Sequence, residues 1–191
     1  MRNWKMTLVL ALMAIVAMNG CGAKEEAAQE PAEQAVTDPE PAPPSAVAEL
    51  HGRADNEIQG WVLVKEKDGE VFIEAHVENA PAGMHGLHIH QVGDCSSDDF
   101  KSAGGHFNPT ESAHACPDAD EHHAGDLGNV EIGEDGLVHA ELTSSMLTVI
   151  EGPASVIGRA VILHEKADDC ETQPTGAAGS RLACGVFEEG D

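Results

Sequence analysis

Histidines at strand-like spacing are the residues of this chain best suited to metal chemistry. In HGLHIHQV, residues 85–92, His88 and His90 stand two positions apart. Residues at i and i+2 of a β-strand face the same side, so we expect the two imidazoles to point together. Imidazole suits copper and zinc, and His164, in the apolar segment VILHE, offers a third ligand near the end of another predicted strand.

A long polar stretch supplies further candidate ligands. Residues 106–129 read HFNPTESAHACPDADEHHAGDLGN, with almost no aliphatic side chain before Leu127. A loop this long inside a compact domain is uncommon and is usually either functional or disordered. Several imidazoles with a carboxylate form a ligand set that zinc accepts. The candidates are His106, His114, His122, His123 and Asp126.

The segments that must position these residues are predicted to be strands. About eight short segments alternate or are rich in β-forming residues, and turns such as KDG and EDG separate them. In EVFIEAHVE, residues 70–78, Val71 and Ile73 begin one face while Glu70 and Phe72 begin the other. No segment has a convincing amphipathic-helix pattern. We therefore predict an all-β sandwich or barrel, with two long polar loops at 93–126 and 165–181.

The N-terminal residues are predicted to be a targeting signal. A short basic region precedes residues 6–18, which are uncharged, largely apolar and too few to span a bilayer comfortably. Residues 18–20, directly before Cys21, resemble a bacterial lipobox. We expect residues 1–20 to be a lipoprotein signal peptide and Cys21 to be lipidated. The alternative is a plain secretory signal with an incidental cysteine.

The segment after Cys21 is predicted to be a tether. Residues 21–45 are rich in Ala, Glu, Gln and Pro, a composition that cannot bury enough apolar surface to fold. The folded domain is then residues 46–191. The whole arrangement predicts a lipid-anchored protein of the bacterial cell envelope that faces the periplasm, and Gly22 favours the outer membrane.

Charge and cysteine content restrict the partners. The net charge of −24 argues against nucleic-acid binding, because little in the chain could neutralise phosphates. It would also repel a small anion at long range. Four of the five cysteines fall in the folded part, and export favours disulfides over free thiols. No two of them are closely spaced, which makes a thiolate metal site less favoured.

The histidine-rich segments together resemble those of the copper/zinc superoxide dismutases, in particular bacterial periplasmic forms. The resemblance implies an eight-stranded Greek-key β-barrel or sandwich with a metal loop and an electrostatic loop. It covers most of residues 46–188, in the order found in that family. The matching segments are GLHIHQVGDC, SAGGHFNP, HHAGDLGN, HEKADD and GSRLACGV.

The resemblance implies one copper and one zinc per subunit, with one histidine that binds both. Asp168 matches an aspartate that accepts hydrogen bonds from one ligand of each metal, His88 and His114. Such outer carboxylates set the tautomer and orientation of the ligand rings. The implied copper ligands are His88, His90, His106 and His164, and the implied zinc ligands are His106, His114, His123 and Asp126.

The reaction that the resemblance implies is dismutation of superoxide to oxygen and hydrogen peroxide, with copper cycling between Cu(II) and Cu(I). Catalytic roles fall to His106, the bridge that is released on reduction and takes a proton, and to Arg181, beside the open copper position. Thr175 matches a channel-lining threonine. Pro174 stands where the family often has lysine, which removes one cation from the usual approach path.

The resemblance also implies a Cys95–Cys184 disulfide. Cys116 and Cys170 have no counterpart in the common pattern, but they fall in the two loops that the family packs side by side, so we predict a second bridge there. His122 lacks the three-residue offset to Asp126 that His123 has, and we expect it to face solvent. Four further histidines match no ligand position and are interpreted as surface or strand residues: His51, His76, His85 and His139.

Two rival functions remain at this point. One is a periplasmic copper- or zinc-binding protein of the same fold without turnover, and the other is a structural or adhesion sandwich with incidental histidines. The sequence leaves both a monomer and a homodimer open. It predicts no contact with the membrane other than the lipid on Cys21.

Overall fold

The computed structural model describes residues 42–149 and 152–190. The predicted signal peptide, Cys21 and most of the tether lie outside these ranges. The described residues form nine strands: β1 (Ser45–Gly52), β2 (Gln59–Lys67), β3 (Glu70–Glu78), β4 (Gly83–His90), β5 (Asp126–Ile132), β6 (Val138–Ser144), β7 (Ala160–His164), β8 (Arg181–Val186) and β9 (Glu188–Glu189). Their only helical element is one 3₁₀ turn, Lys101–Ala103. Within the same ranges no helix has the length and apolar character needed to cross a membrane.

The strands form one antiparallel sheet that curls into a nearly closed barrel. Its order is β5-β4-β7-β8-β1-β2-β3-β6, and the short β9 pairs with β1. The edge strands β5 and β6 also contact each other. The connections from β3 to β4 and from β6 to β7 each skip two strands of the barrel, which is Greek-key connectivity. The predicted eight-stranded all-β Greek-key fold is confirmed, with β9 as a two-residue addition.

Alternation of side chains builds the barrel core, because burying one apolar face of each strand removes it from water. In β3 the predicted inner face is fully buried and the residues between are more exposed. Aromatic side chains are few, so the core consists mainly of Val, Ile, Leu and Ala. The inner residues of β3 are Val71, Ile73, Ala75 and Val77.

Strands β4 and β7 are the exception to this alternation, since both of their faces are covered. All five residues of β7 are buried, and so are the last six residues of β4. The outer side of β7 and β8 carries a second, smaller apolar cluster that includes Phe100, Ala103 and Ile162. Residues from the loop between β4 and β5 thus cover the outside of the sheet, and the long loops create a buried space there.

Candidate metal centre

Two groups of potential ligands lie on this covered outer side of the barrel. One contains four imidazoles, and the other contains three imidazoles and a carboxylate. In each group all ligand atoms lie within 4.8 Å of one another, every side chain is buried, and His106 belongs to both. The strand group is His88, His90, His106 and His164, and the loop group is His106, His114, His123 and Asp126.

The strand group is positioned by the pairing of β4 with β7. His88 lies opposite Ile162 and His90 opposite Ala160, so the two imidazoles lie on one face, as their spacing predicts. His164 ends β7, and its Nε2 is 3.3 Å from Nε2 of His90. His90 Nδ1 donates to the carbonyl of Gly104 at 3.0 Å. A carbonyl can only accept, so Nε2 of His90 keeps its lone pair for the group.

The loop group converges on one carboxylate oxygen. Oδ1 of Asp126 lies 2.7 Å from Nδ1 of His106, 3.0 Å from Nδ1 of His114 and 3.2 Å from Nδ1 of His123. The other oxygen, Oδ2, accepts the backbone N–H groups of His123 at 2.9 Å and Ala115 at 3.3 Å. Asp126 is the first residue of β5, so a strand end positions the carboxylate while the preceding loop brings the rings to it.

Asp168 connects the two groups. Its Oδ2 accepts from Nε2 of His88 at 2.7 Å, and its Oδ1 accepts from Nε2 of His114 at 2.9 Å. Because a carboxylate can only accept, both rings carry their proton on Nε2 and keep the lone pair of Nδ1. Asn129 fixes the backbone of Asp168 by accepting its N–H at 2.7 Å and donating to its carbonyl at 2.9 Å.

Gly176 leaves the room that this arrangement needs. Its φ is +63°, and an added Cβ would lie 1.9 Å from Oδ1 of Asp168 and 2.7 Å from Nε2 of His114. A side chain at this position would displace the Asp168–His114 hydrogen bond. The glycine is therefore required by both backbone conformation and space.

The donor atoms fit bound cations. His88 Nδ1, His106 Nε2 and His114 Nδ1 are buried and have no hydrogen-bond partner among the described residues. The 3.0 Å contact of His114 Nδ1 with Asp126 Oδ1 is not a hydrogen bond, because this nitrogen carries a lone pair and no proton. Buried polar atoms in proteins are nearly always paired. A metal ion in each group would accept these lone pairs, and His106 would offer one ring nitrogen to each group.

The electrostatics of the site favour ligation at neutral pH. Burial lowers the pKa of His88 to about 4, and it is also the main cause that lowers the pKa of His90 and of His164. Burial alone would raise the pKa of Asp126, but the hydrogen bond and charge of His106, with smaller contributions from His114 and His123, lower it to about 2. His88, His90 and His164 therefore present neutral rings, the form that binds metals.

His114 differs from the other rings. Burial would lower its pKa, but the hydrogen bond to Asp168 and the charges of Asp126 and Asp168 outweigh burial and raise it. Burial would raise the pKa of Asp168, yet hydrogen bonds from His88 and from the Cys170 N–H lower it below its usual range. The carboxylate partners thus outweigh burial at His114, whereas burial dominates at His88, His90 and His164.

A cavity of about 400 Å³ opens beside the strand group. His90, His164 and Thr175 line it together with Arg181. The guanidinium of Arg181 donates from Nη1 to the Phe100 carbonyl at 2.6 Å and from Nη2 to the Gly104 carbonyl at 2.5 Å. These two bonds hold the cation at the cavity wall. The lining also includes Arg53 and Lys101, which the sequence analysis did not single out.

Two disulfides and one glutamine tie the loops in place. Cys95–Cys184 joins the first loop to β8, and Cys116–Cys170 joins the two long loops. Gln173 accepts the His114 N–H at 2.9 Å through Oε1 and donates to the His114 carbonyl at 2.7 Å through Nε2. No pattern in the sequence pointed to Gln173, because its partner is 59 residues away and is a backbone group.

The expectation that His122 faces solvent is wrong. The side chain is only 8% exposed, and its Nδ1 donates to the His123 carbonyl at 2.7 Å. The loop folds against the ends of β3 and β6, so His122 lies beside Glu70, Leu127 and Met146. It belongs to neither ligand group, whereas His123 belongs to the loop group.

His85 is a second histidine with an unexpected environment. It lies on β4, is only 3% exposed, and bonds the carbonyl of His164 at 2.8 Å and that of Pro81 at 2.9 Å. Of the two interpretations given for it, surface or strand residue, the strand interpretation is confirmed and the surface one is wrong. It supports the backbone of His164, a contact that spacing along the chain could not predict.

Comparisons with known proteins agree with this geometry. The family model described as copper/zinc superoxide dismutase (SODC) matches residues 58–187. Among solved structures, that of the clock protein EA4 is similar to this chain, with 37% sequence identity and a TM-score of 0.69. The match covers 76% of this chain and 94% of that protein's chain.

Proposed function

Because the chain belongs to the copper/zinc superoxide dismutase family, we propose that it converts superoxide to oxygen and hydrogen peroxide. The observation that carries this proposal is the pair of ligand groups that share His106, with Arg181 lining the cavity beside the strand group. A purely structural protein has no need for buried, unpaired imidazole nitrogens next to a fixed guanidinium.

We assign copper to the strand group and zinc to the loop group. An all-imidazole set suits copper, and three imidazoles with one carboxylate suit a tetrahedral zinc site. Zinc has no redox chemistry, so its part would be to order the loop. Copper, when bound, supplies the one-electron exchange with superoxide. The two groups together would hold one copper ion and one zinc ion per chain.

The chain's own residues meet the other requirements of the reaction. Two superoxide ions and two protons give one oxygen and one hydrogen peroxide, so the site must attract an anion and deliver protons. Arg181 lies at the cavity wall beside His90 and His164, where it attracts an anion. His106 Nε2, buried and unpartnered among the described residues, is the atom that would hold a proton. Asp168 keeps His88 and His114 in the ligating tautomer.

The alternative is a copper- and zinc-binding protein of the same fold without turnover. The similarity to a clock protein gives this alternative a specific basis, because that structure is described by a role other than dismutation. The alternative predicts the same metal content and the same fold. The two functions differ in one observable: under the alternative, the protein consumes superoxide no faster than buffer without protein does.

One experiment on the purified chain separates these functions. Metal analysis is combined with a superoxide-consumption assay, and a His106→Ala variant is measured beside the wild type. For the wild type we expect one copper and one zinc per chain and fast turnover. In the variant we expect both the metal content and the turnover to be lower. Full metal content without turnover selects the alternative, and absence of stoichiometric metal contradicts both.

We further propose that residues 1–20 are removed and that the lipid on Cys21 anchors the chain to the bacterial cell envelope, facing the periplasm and favouring the outer membrane. The support is the apolar run before Cys21 and the proline-rich, acidic segment that follows. Metabolic labelling with a fatty acid tests this. The wild type should take up label and fractionate with membranes, and Cys21→Ala should do neither.

A further inference from the structure

Three cations from separate parts of the chain line the cavity beside the strand group. Arg181 begins β8, Arg53 directly follows β1, and Lys101 begins the 3₁₀ turn. The backbone N–H of Arg53 donates to the carbonyl of Leu182 at 3.2 Å, which places Arg53 next to the start of β8. Asp99 also lines the cavity, so the lining carries three positive charges and one negative charge, a net positive charge larger than Arg181 alone provides.

The three cations differ in position, exposure and ion pairing. Arg181 donates to two carbonyls and has a fixed position. Lys101 forms an ion pair with Asp99 at 2.6 Å, and its side chain is 78% exposed. Solvent and that partner screen most of its charge.

Arg53 combines low exposure with a weak ion pair. Its ion-pair contact in the structure is a long one, 3.4 Å to Asp55, whose side chain is 69% exposed. The Arg53 side chain itself is only 31% exposed, and its Nε is buried without a hydrogen-bond partner among the described residues. A second carboxylate is near enough to feel this charge: hydrogen bonds from Ser180 are the main cause that lowers the pKa of Glu165, and the charges of Lys166 and then Arg53 make smaller contributions. A partly buried charge is screened less than an exposed one.

A cation at this position meets a need of the chain. The net charge of −24 repels a small anion at long range. Positive charge that attracts the anion must then come from local groups in a concave site, where low-dielectric walls focus the field. Arg53 lines the cavity with His90 and His164, so its field acts where the anion enters.

We propose that Arg53 guides superoxide, and small anions in general, into the cavity beside the strand group. This inference rests on the proposed function and adds a specificity-determining residue to it. Arg53 belongs to neither ligand group, so its role is to raise the local concentration of the anion.

The first test measures the second-order rate of superoxide consumption as ionic strength is varied. Arg53→Gln should lower this rate by about two- to five-fold at low ionic strength, with the difference shrinking as salt screens the charge. Arg53→Lys should stay close to the wild type because it keeps the charge. Metal content should be the same in all variants.

The matched control is Lys67→Gln, which removes the same charge elsewhere. Lys67 is the last residue of β2, whereas the first, Gln59, pairs with His51 near Arg53. Lys67 is thus roughly 26 Å along the strand from Gln59, the end of β2 that lies near Arg53. Equal rates and equal salt dependence for Arg53→Gln and Lys67→Gln would overturn the proposal.

The second test does not depend on turnover. Azide binding to the copper-loaded protein is titrated by visible absorption, and Arg53→Gln should bind it about two- to five-fold more weakly than the wild type or Lys67→Gln. If the wild type consumes no superoxide, this titration still tests Arg53. Equal azide affinity in both variants, or a wild type that binds no azide, overturns the guiding role.

Discussion

The strand group and the loop group share His106 but are positioned by different parts of the fold. His88, His90 and His164 lie on β4 and β7, whose hydrogen-bond register sets their spacing. His114 and His123 come from a long loop, and Asp126 ends that loop at the start of β5. The strand group is therefore a property of the barrel, whereas the loop group depends on contacts that the loop makes elsewhere.

The two groups also differ in access. His90 and His164 line the cavity of about 400 Å³ with Arg181, while His114, His123 and Asp126 are not among its lining residues. A group that faces a cavity can meet a substrate, and a buried group that ties a loop can stabilise the site. Under the proposed function the strand group is the reacting centre and the loop group is structural, and variants in each group test that assignment.

The largest expected effect is the loss of zinc binding at the loop group when its carboxylate is removed. Asp126→Asn should weaken zinc binding more than about 100-fold, because even outer partners of metal ligands are worth 10- to 100-fold. Copper affinity should fall far less, since the strand group keeps all four rings. Competition with a coloured chelator measures both affinities. Asp120→Asn, an exposed acid of the same loop, is the control, and equal losses of both metals in Asp126→Asn would show that the groups are not separable.

Removal of Asp168 should affect both groups together. Its carboxylate accepts from one ring of each, so Asp168→Ala should weaken copper and zinc by about 10- to 100-fold each. The same chelator competition applies, with the exposed Asp118→Ala as the control. A loss confined to one metal would mean that Asp168 orients only one ring.

Arg181 tests access, because it lines the cavity but belongs to neither ligand group. Arg181→Ala should leave both metals bound and lower the rate of superoxide consumption about 10-fold at low ionic strength, because a fixed cation at the cavity is lost. Arg181→Lys should recover part of the rate by keeping the charge. Stopped-flow rates equal to the wild type, at equal metal content, would remove Arg181 from the reaction.

The smallest expected effect concerns a contact that holds the loop. Gln173→Ala removes two hydrogen bonds to the His114 backbone and should weaken zinc a few-fold, with copper unchanged. The Cys116–Cys170 disulfide remains and limits the loss. Gln59→Ala, on β2 and bonded to Glu78, is the matched control. No change in zinc affinity would show that the disulfide and Asp168 suffice to hold His114.

These comparisons explain what the sequence could predict. The alternation in β3 and the i, i+2 spacing of His88 and His90 are local patterns, and the strands and their faces follow from them. The fold class and the members of both groups were therefore within reach, the latter with the help of family motifs.

The misses come from contacts between distant loop residues. His122 is buried because the loop folds against β3 and β6, and Gln173 bonds a backbone group 59 residues away. Arg53 reaches the cavity only because β1 pairs with β8. None of these placements has a period or a spacing along the chain, so packing in three dimensions decides them.

The most direct test of the central claim is the rate of superoxide consumption as copper occupancy is varied at constant zinc. If the strand group is the reacting centre and the loop group is structural, the rate should rise in proportion to copper, up to one ion per chain. With zinc alone, the chain should consume no superoxide above buffer. A rate that is independent of copper, or that follows zinc content, would contradict the account.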